Sequence, residues 1–537
     1  MKLCRLPLLL SLVLSLAIAL THAQTGGGNQ DGYRKKQIEN AFRRNWDAYA
    51  KYAMPADMLN PIDQNGMLDQ GTAGFGGTLI DSLSTFIVLG LGDTPEYKQL
   101  LENVKKIDFT KPKKVYDNEG EVNIFELTIK VIGGLLSAFQ LNGEKPEEKF
   151  LVDQAKVLAD GLLVGWEGTN KIPFNRVNLL TKKPQDNTQD ANLAEAGTLT
   201  LEWGALSKYT GDPKYAKLTQ GSVDAIINSK SYLPSLWANR IWPKTNVASS
   251  TYISTGGGYD SFMEYLIKFP VFEDNRDHRY AQSYGKMIDT IQEKLVSKTG
   301  VNNLTFIADY NIQTNKINYV GSHLACFAGG NIAYAGRLFN RDDWTQLGLE
   351  ITESCYQTYK ATAMGIGPYA FGWYDKDREA AGWKGVPTGR KEFYNQHGIF
   401  ITVGDWVQHP EVIESLFYAY RITGDQMWKD MAWEAYKKID HYANTDTALA
   451  GIKNVNDKSS GLWEQTQVYL YSQIFKYLYL IFSDVEEYSL DKYLFTTEGH
   501  IFKRGSGPAA LASKRSLVTE RVEKRGGVWG KVQGSFS

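Results

Sequence analysis

Apolar residues recur at helical spacing along most of the chain. The clearest run is Val122 to Leu141, VNIFELTIKVIGGLLSAFQL. Ile124, Phe125, Ile129, Ile132, Leu135, Leu136 and Phe139 follow the 3.6-residue period and predict one helix. Gly133 and Gly134 interrupt it, at about 1 kcal/mol each relative to alanine. Two glycines there imply that another helix packs very close. Arg34 to Ala53 predicts an amphipathic helix, with Ile38, Phe42, Trp46 and Tyr49 on one face. Thr78 to Leu91 is a second, strongly apolar helix, and Leu193–Tyr209 and Glu411–Arg421 predict others.

One turn pattern follows these helices. It reads Gly92-Asp93-Thr94-Pro95-Glu96-Tyr97, Thr210-Gly211-Asp212-Pro213-Lys214-Tyr215 and Thr423-Gly424-Asp425-Gln426-Met427-Trp428. Shorter or weaker versions stand at Asn142-Gly143-Glu144 and Phe339-Asn340-Arg341-Asp342-Asp343-Trp344. Gly or Asn closes one helix, an acid opens the next, and an aromatic residue anchors it. A buried helix thus hands over to an amphipathic one, again and again. With few convincing strands, this predicts an all-α fold, an α/α toroid or solenoid. A closed toroid gathers the starts of its inner helices around one mouth. Strand-like pieces such as Leu304 to Asp309 are then decorations.

Composition narrows this further. The chain has 537 residues, 43% of them hydrophobic, and a net charge of -1. Length alone suggests three or four domains, but large barrels break that rule and no internal linker is evident. Near-neutral charge gives no general electrostatic case for nucleic acid or anionic membranes. The 13 Trp and 31 Tyr suit sugar stacking, yet most are expected in the core. Lys2 and Arg5 precede an apolar run from Leu6 to Leu20, short for a bilayer span. With Thr21-His22-Ala23 after it, residues 1–23 read as a secretory signal peptide, a retained anchor being the alternative. No other segment reads as transmembrane. Residues 24–33 are expected to be a flexible lead-in, 34–503 one domain, and 504–537 a disordered basic tail with pairs Lys514-Arg515 and Lys524-Arg525.

Cys326 and Cys355 remain after signal removal, an even pair for an oxidising compartment. Their disulfide would contribute about 3 kcal/mol by closing its loop. Asn303-Leu304-Thr305 is a glycosylation sequon.

Several carboxylates open apolar helices: Glu126, Glu195, Asp260 with Glu264, and Glu411 with Glu414. One such acid is ordinary, since the helix dipole favours it. Four such helices in one toroid could instead aim their acids at one cavity. Paired carboxylates serve glycoside hydrolysis, one protonating the leaving oxygen and one activating water.

Ordered stretches from about Arg34 to His500 carry a resemblance. They include AFRRNWDAYAKYA, GGTLIDSLSTFIVLGL, FELTIKVIGGLLSAFQL, TNKIPFNRVNL, LAEAGTLTLEWGALSKYTGD, GGYDSFMEYLIK, GSHLACFAGGN, HPEVIESLFYAYRITGD and LFTTEGH. The chain resembles the class I α-1,2-mannosidases of glycoside hydrolase family 47, especially secreted fungal members. The resemblance implies one barrel of seven helical hairpins with a calcium ion at its base. It implies inverting removal of terminal α-1,2-linked mannose from oligomannose glycans of glycoproteins. Glu126 matches the general acid, Glu411 the base, and Asp260 the acid of the D-S-F/Y-x-E-Y motif. Thr497 matches the calcium-ligating threonine. Glu195, Glu264, Glu414, Glu498 and His323 match further pocket residues, and Cys326 and Cys355 the family disulfide. The implied protein is a monomer in the secretory pathway, secreted or retained in its lumen, with no membrane contact after signal removal and no nucleic-acid partner.

Departures from the family pattern cluster. Lys130 replaces the arginine of F-E-x-x-I-R, and His409 that of R-P-E. Lysine cannot reproduce the two-pronged carboxylate contact of arginine. Tyr369, Gln467 and Gln473 replace family acids, and N-T-E-A-H reads Thr496-Thr497-Glu498-Gly499-His500. The likeness of the retained Glu126, Glu411 and Thr497 favours a working hydrolase with a retuned pocket. A related α-glycosidase, or a glycan-binding protein of the same fold, is the alternative.

Overall fold

The computed structural model describes residues 30–114, 119–185, 189–275, 278–375 and 386–506. The expected signal peptide, residues 24–29 of the lead-in, and the dibasic pairs lie outside these residues. The first helix runs over 30–52, so it begins four residues inside the stretch expected to be flexible. Lys429 Nζ ties Asp31 at 2.5 Å, and Arg34 ties Asp430 at 2.8 Å. At the other end, 504–506 belong to the fold rather than to a tail. Arg504 N donates to Lys492 O at 2.9 Å, and Ser506 is buried.

Buried helices alternate with amphipathic ones along the chain. The buried set is Gly77–Val88, Ile124–Leu141, Thr200–Thr210, Asp260–Phe272, Phe327–Phe339, Glu411–Thr423 and Leu470–Ile481. Each packs against the next, and Leu470–Ile481 returns to Gly77–Val88, which closes the ring. The outer helices bury one stripe only. In Arg279–Lys294 this is Tyr280, Tyr284, Met287, Ile288 and Ile291, the spacing of a single helix face. The toroid predicted from the alternating helices is therefore the fold. Ile124–Leu141 is long and apolar enough to cross a membrane, but 83% of it is buried inside the protein.

The turns use the predicted left-handed residues at Gly211, Asn340 and Gly424, with φ of 70°, 54° and 73°. Near the first turn, Gly90 rather than Gly92 takes this conformation, at φ 74°.

Short strands do more than decorate. Glu121–Asn123, Ala191–Asn192 and Phe400–Val403 each lead towards the start of an inner helix. Glu121–Asn123 pairs antiparallel with Arg176–Asn178, register Asn123↔Arg176. This shortens the expected Val122–Leu141 helix, which starts at Ile124. Asn123 caps it, accepting from Glu126 N at 2.9 Å. The Leu193–Tyr209 helix is broken into Leu193–Gly197 and Thr200–Thr210. At the break, a Cβ on Gly197 would stand 2.4 Å from Phe262.

The bore is plugged by a hairpin, Tyr493–Phe495 paired with Ile501–Lys503. Its turn carries Thr496 to His500 into the ring. A Cβ on Gly133 would stand 2.9 Å from His500, and one on Gly134 would stand 2.9 Å from Ile80 O. The two glycines thus admit two neighbours, the hairpin and the first inner helix, where the sequence implied a helix alone.

Candidate active site

Inner helices point their first turns at one cavity of about 330 Å³. Glu126, Glu195, Asp260, Glu264, Glu411 and Glu414 line it, with Lys130, His409 and Gln473. Thr497 and Glu498, at the hairpin turn, complete it. Acids from four helices and one hairpin, far apart in sequence, therefore share one space. His323 stands behind this lining, against Glu411.

The carboxylates occupy different environments. Glu411 Oε2 is 2.7 Å from His323 Nδ1, and His323 Nε2 is 2.9 Å from Tyr359 OH. An ionised carboxylate only accepts, so Nδ1 carries the proton and Nε2 accepts from the phenol. Burial pushes Glu411 up, but the His323 hydrogen bond and the two neighbouring imidazoles more than offset it. Its carboxyl lies below the usual value, ionised and oriented as a base must be. Asp260 is pushed up to about 7 by burial and by Glu411 and Glu264, against a hydrogen bond from Ser261 N at 2.8 Å.

Glu126 is partly open to solvent, as a proton donor to a substrate needs to be. Lys130 lies one turn on, with Nζ 2.5 Å from Glu126 Oε2 and 3.7 Å from Glu498 Oε2. Burial would lower this lysine, but Glu126, Glu498 and Asp81 together raise it and keep it charged. Burial drives Glu498 up to about 8, against the pull of Lys130. Glu264 is ion-paired with Lys268, and Lys268 Nζ also lies 3.8 Å from Glu414. Burial, then Glu264, raise Glu414 well above the carboxylate range.

Backbone geometry contributes too. Residues Leu127–Ile132 and Leu470–Ile474 are π-helical, a form often found at functional sites. The first places Lys130 and the second Gln473, each beside the cavity.

The departures sit together only in part. Tyr369 packs against His409 with ring centroids 5.1 Å apart and ring planes tilted by 50°. Gln467 lines an adjoining cavity of about 270 Å³, which shares Glu126 and Lys130 with the first. Cys326 and Cys355 form a disulfide with Cα atoms 5.9 Å apart, joining the start of Phe327–Phe339 to the interior of the next helix, Asp342–Ala361. Asn303 is exposed in a turn.

The model of glycosyl hydrolase family 47 matches residues 41–504. The chain belongs to that family. Two curated relatives make the likeness concrete. Mannosyl-oligosaccharide alpha-1,2-mannosidase 1B of Aspergillus oryzae is 34% identical over 491 residues, covering 88% of this chain and 92% of its own. Mannosyl-oligosaccharide alpha-1,2-mannosidase of Coccidioides posadasii is 34% identical over 496 residues, covering 88% and 91%. Among solved structures, alpha-1,2-mannosidase from Trichoderma reesei superposes with a TM-score of 0.83 at 31% identity, covering 88% of this chain and 99% of that one.

As a family 47 member the chain is a glycoside hydrolase, and its site uses residues the sequence reading passed over. Lys268 was legible as the i+4 partner of Glu264 on one helix face. Asp81, a carboxylate inside an apolar helix, was a second visible signal. It is fully buried and stands 3.1 Å from His500. Tyr359 gave none, since nothing local distinguishes it from a core tyrosine.

Proposed function

We propose that this chain removes terminal α-1,2-linked mannose from oligomannose glycans of glycoproteins, with inversion at the anomeric carbon. One observation carries the reading: Glu126, Asp260 and Glu411 line a single cavity, in which Glu411 is held below the usual carboxylate value and Asp260 is raised above it. Groups pushed apart in this way take separate acid and base roles. The names and coverage of the relatives supply the sugar and linkage.

In the proposed mechanism Glu126, whose carboxyl is partly exposed, protonates the leaving oxygen. Glu411, held ionised by His323, takes a proton from the attacking water. Asp260 lies beside it, close enough in charge to be raised by it, and serves the same face of the sugar. Inversion requires the acid and base on opposite sides of the ring, with room for water.

The donor set also suits calcium. Seven carboxylates line the cavity, Glu126, Glu195, Asp260, Glu264, Glu411, Glu414 and Glu498, against one lysine, Lys130. Hard cations favour oxygen donors. Among the described residues no group of three His, Cys, Asp or Glu is set to hold a metal directly. Thr497, which matches the calcium-ligating threonine of the family and lines the cavity at the hairpin turn, would hold the ion through hydroxyl and carbonyl oxygens, with Glu264, Glu414 and Glu498 accepting from its waters. Such an ion supplies positive charge that orients sugar hydroxyls. A secretory-pathway monomer is the accompanying proposal, supported by the apolar leader and the disulfide, with Asn303 as its glycan site.

A second reading, a glycan-binding protein with little turnover, is favoured by the Lys130–Glu126 contact, which engages the acid. The test is mannose release from high-mannose glycans and α-1,2-mannobiose, with calcium and with chelator. Release of mannose supports the hydrolase, and none at any pH across the acidic and neutral range overturns it.

A further inference from the structure

We propose that one side of the barrel mouth docks phosphate groups carried by the oligomannose substrate, away from the sugar that is cut, an assignment that rests on reading the cavity as a glycosidase site. Inner helices start at the mouth, so the chain returns there after each outer helix. The segments that follow the outer helices Pro95–Val104, Phe150–Leu162 and Lys214–Ile227 therefore lie on the mouth face. They carry an excess of free positive charge. Lys106, Lys113 and Lys114 stand on the first segment, Lys182 and Lys183 on the second and Lys244 on the third, all exposed. Other bases there are neutralised: Lys105 by Glu102, Lys111 by Asp108, Arg176 by Glu121 and Arg240 by Asp190. Among the described residues the six exposed lysines have no ion-pair partner, and only Glu119 and Glu167 stand unpaired against them on these segments. The opposite end of the barrel has the other sign, since its turns open with exposed acids such as Asp93 and Asp425.

The lysines border the site. The first segment is seated on the loop beside the acid: Phe109 packs against Phe75 with centroids 5.2 Å apart, and Lys113 N donates to Ala73 O at 2.9 Å. That loop begins with Asp69, Gln70 and Gly71, which line the cavity adjoining Glu126. The second segment is joined to the first by the pairing of Arg176–Asn178 with Glu121–Asn123, and Asn178 Nδ2 donates to Glu119 O at 2.8 Å. Cavities run along this side. The one that shares Glu126 and Lys130 with the central cavity shares Arg176 with a further cavity of about 250 Å³, which is lined by Phe174, Arg240 and Pro243 and meets the central one at Glu195. Lys244 follows Pro243, with Nζ 5.7 Å from the centre of the Phe174 ring. A glycan with its terminal mannose at Glu126 has this groove for its other sugars, which brings their substituents among the lysines. Neutral sugar offers an ammonium group only hydroxyls, and water offers as much. A phosphate ester offers full negative charge and several acceptor oxygens. Lysine, a point charge on a flexible stem, tolerates a phosphate whose position varies between glycans.

Calorimetry on Glu411→Gln enzyme, in which turnover is slowed, compares an oligomannose bearing one mannose 6-phosphate with the same glycan after phosphatase treatment. Exposed pairs are individually weak and screened by salt. The phosphorylated glycan is expected to bind about 10-fold more tightly at about 20 mM salt, and within about 2-fold of the neutral one at about 0.5 M. Replacing Lys113, Lys114, Lys182 and Lys183 together by glutamine should abolish the preference and leave the neutral glycan's affinity unchanged. The salt dependence needs no lysine variant and decides the case if that protein does not fold. Equal binding of the two glycans at low salt would overturn the proposal, as would a preference that survives in the folded four-lysine variant. Oligoglutamate or phosphatidylserine vesicles binding as tightly as the phosphorylated glycan would overturn the assignment to a glycan. Mannose release by the wild type is scored separately. Its absence with the phosphate preference intact would sink the hydrolase reading and leave the docking surface standing.

Discussion

Replacing His323 by phenylalanine should move the acidic limb of catalysis to higher pH. The imidazole is 1% exposed and the Glu411 side chain 12% exposed, with Nδ1 and Oε2 2.7 Å apart. A hydrogen bond to a charged group contributes about 1.5–3 kcal/mol. At 1.36 kcal/mol per pKa unit, this corresponds to roughly one to two units. The sign follows from what remains. Burial raises Glu411, and in the wild type the His323 bond overcomes it, leaving the carboxyl below 4.5. Without that bond the opposition to burial that remains, from the backbone hydrogen bond at Glu411 and from His409, is weaker, so Glu411 binds its proton at higher pH and the base is lost earlier on acidification. Stability shifts in the same sense. A depressed carboxyl stabilises the fold above its unfolded value, and the contribution fades as pH falls through the folded one. In the variant it is already reduced at mildly acidic pH. The orphaned Tyr359 hydroxyl costs a further 1–3 kcal/mol or so, which His323→Phe with Tyr359→Phe should recover in part. The assay is kcat/KM for α-1,2-mannobiose across pH, with thermal melts at each pH to confirm folding. An acidic limb that coincides with wild type in a folded variant would refute the assignment of His323 as the group that holds the base.

Other consequences follow from the same site. Glu126→Gln and Glu411→Gln should each lower kcat by about 100-fold or more, and wild type should release β-mannose; full activity in either variant refutes its role. Chelation should abolish activity and calcium restore it. Calcium at a hundredfold excess over its Kd should stabilise by about 2.7 kcal/mol, and Thr497→Ala should remove that gain in thermal melts. Gly134→Ala places a Cβ 2.9 Å from Ile80 O, and this overpacking should destabilise by about 1–3 kcal/mol in urea melts. Cys326→Ser with Cys355→Ser should cost about 2–4 kcal/mol in the same measurement.

Much of the site was legible because it is built from helix starts. Glu195, Asp260, Glu411 and Glu414 open runs whose periodicity is plain, and a toroid brings such starts together. What the periodicity could not reveal is local backbone irregularity. The π-helical segments at Leu127–Ile132 and Leu470–Ile474 preserve a continuous apolar pattern, so nothing in the residues marks them. Likewise Asn123 reads as part of a helix until its strand partner Arg176 is known.

The Ile124–Leu141 helix separates the two kinds of information. The sequence by itself determined that it is buried, that its glycines admit close neighbours, and that Glu126 stands at its entrance. These are properties of spacing and side-chain type, set within a few turns. Only the tertiary structure decided that Gly133 faces His500 of a hairpin and Gly134 faces Ile80 of another helix. It alone decided that Lys130 lies between Glu126 and Glu498, and that Glu411 is held by His323 and through it by Tyr359. The physical reason is range. Helix formation is governed by neighbours three and four residues apart, whereas burial and charge at a site depend on residues hundreds of positions away that closure of the ring brings within a few ångströms.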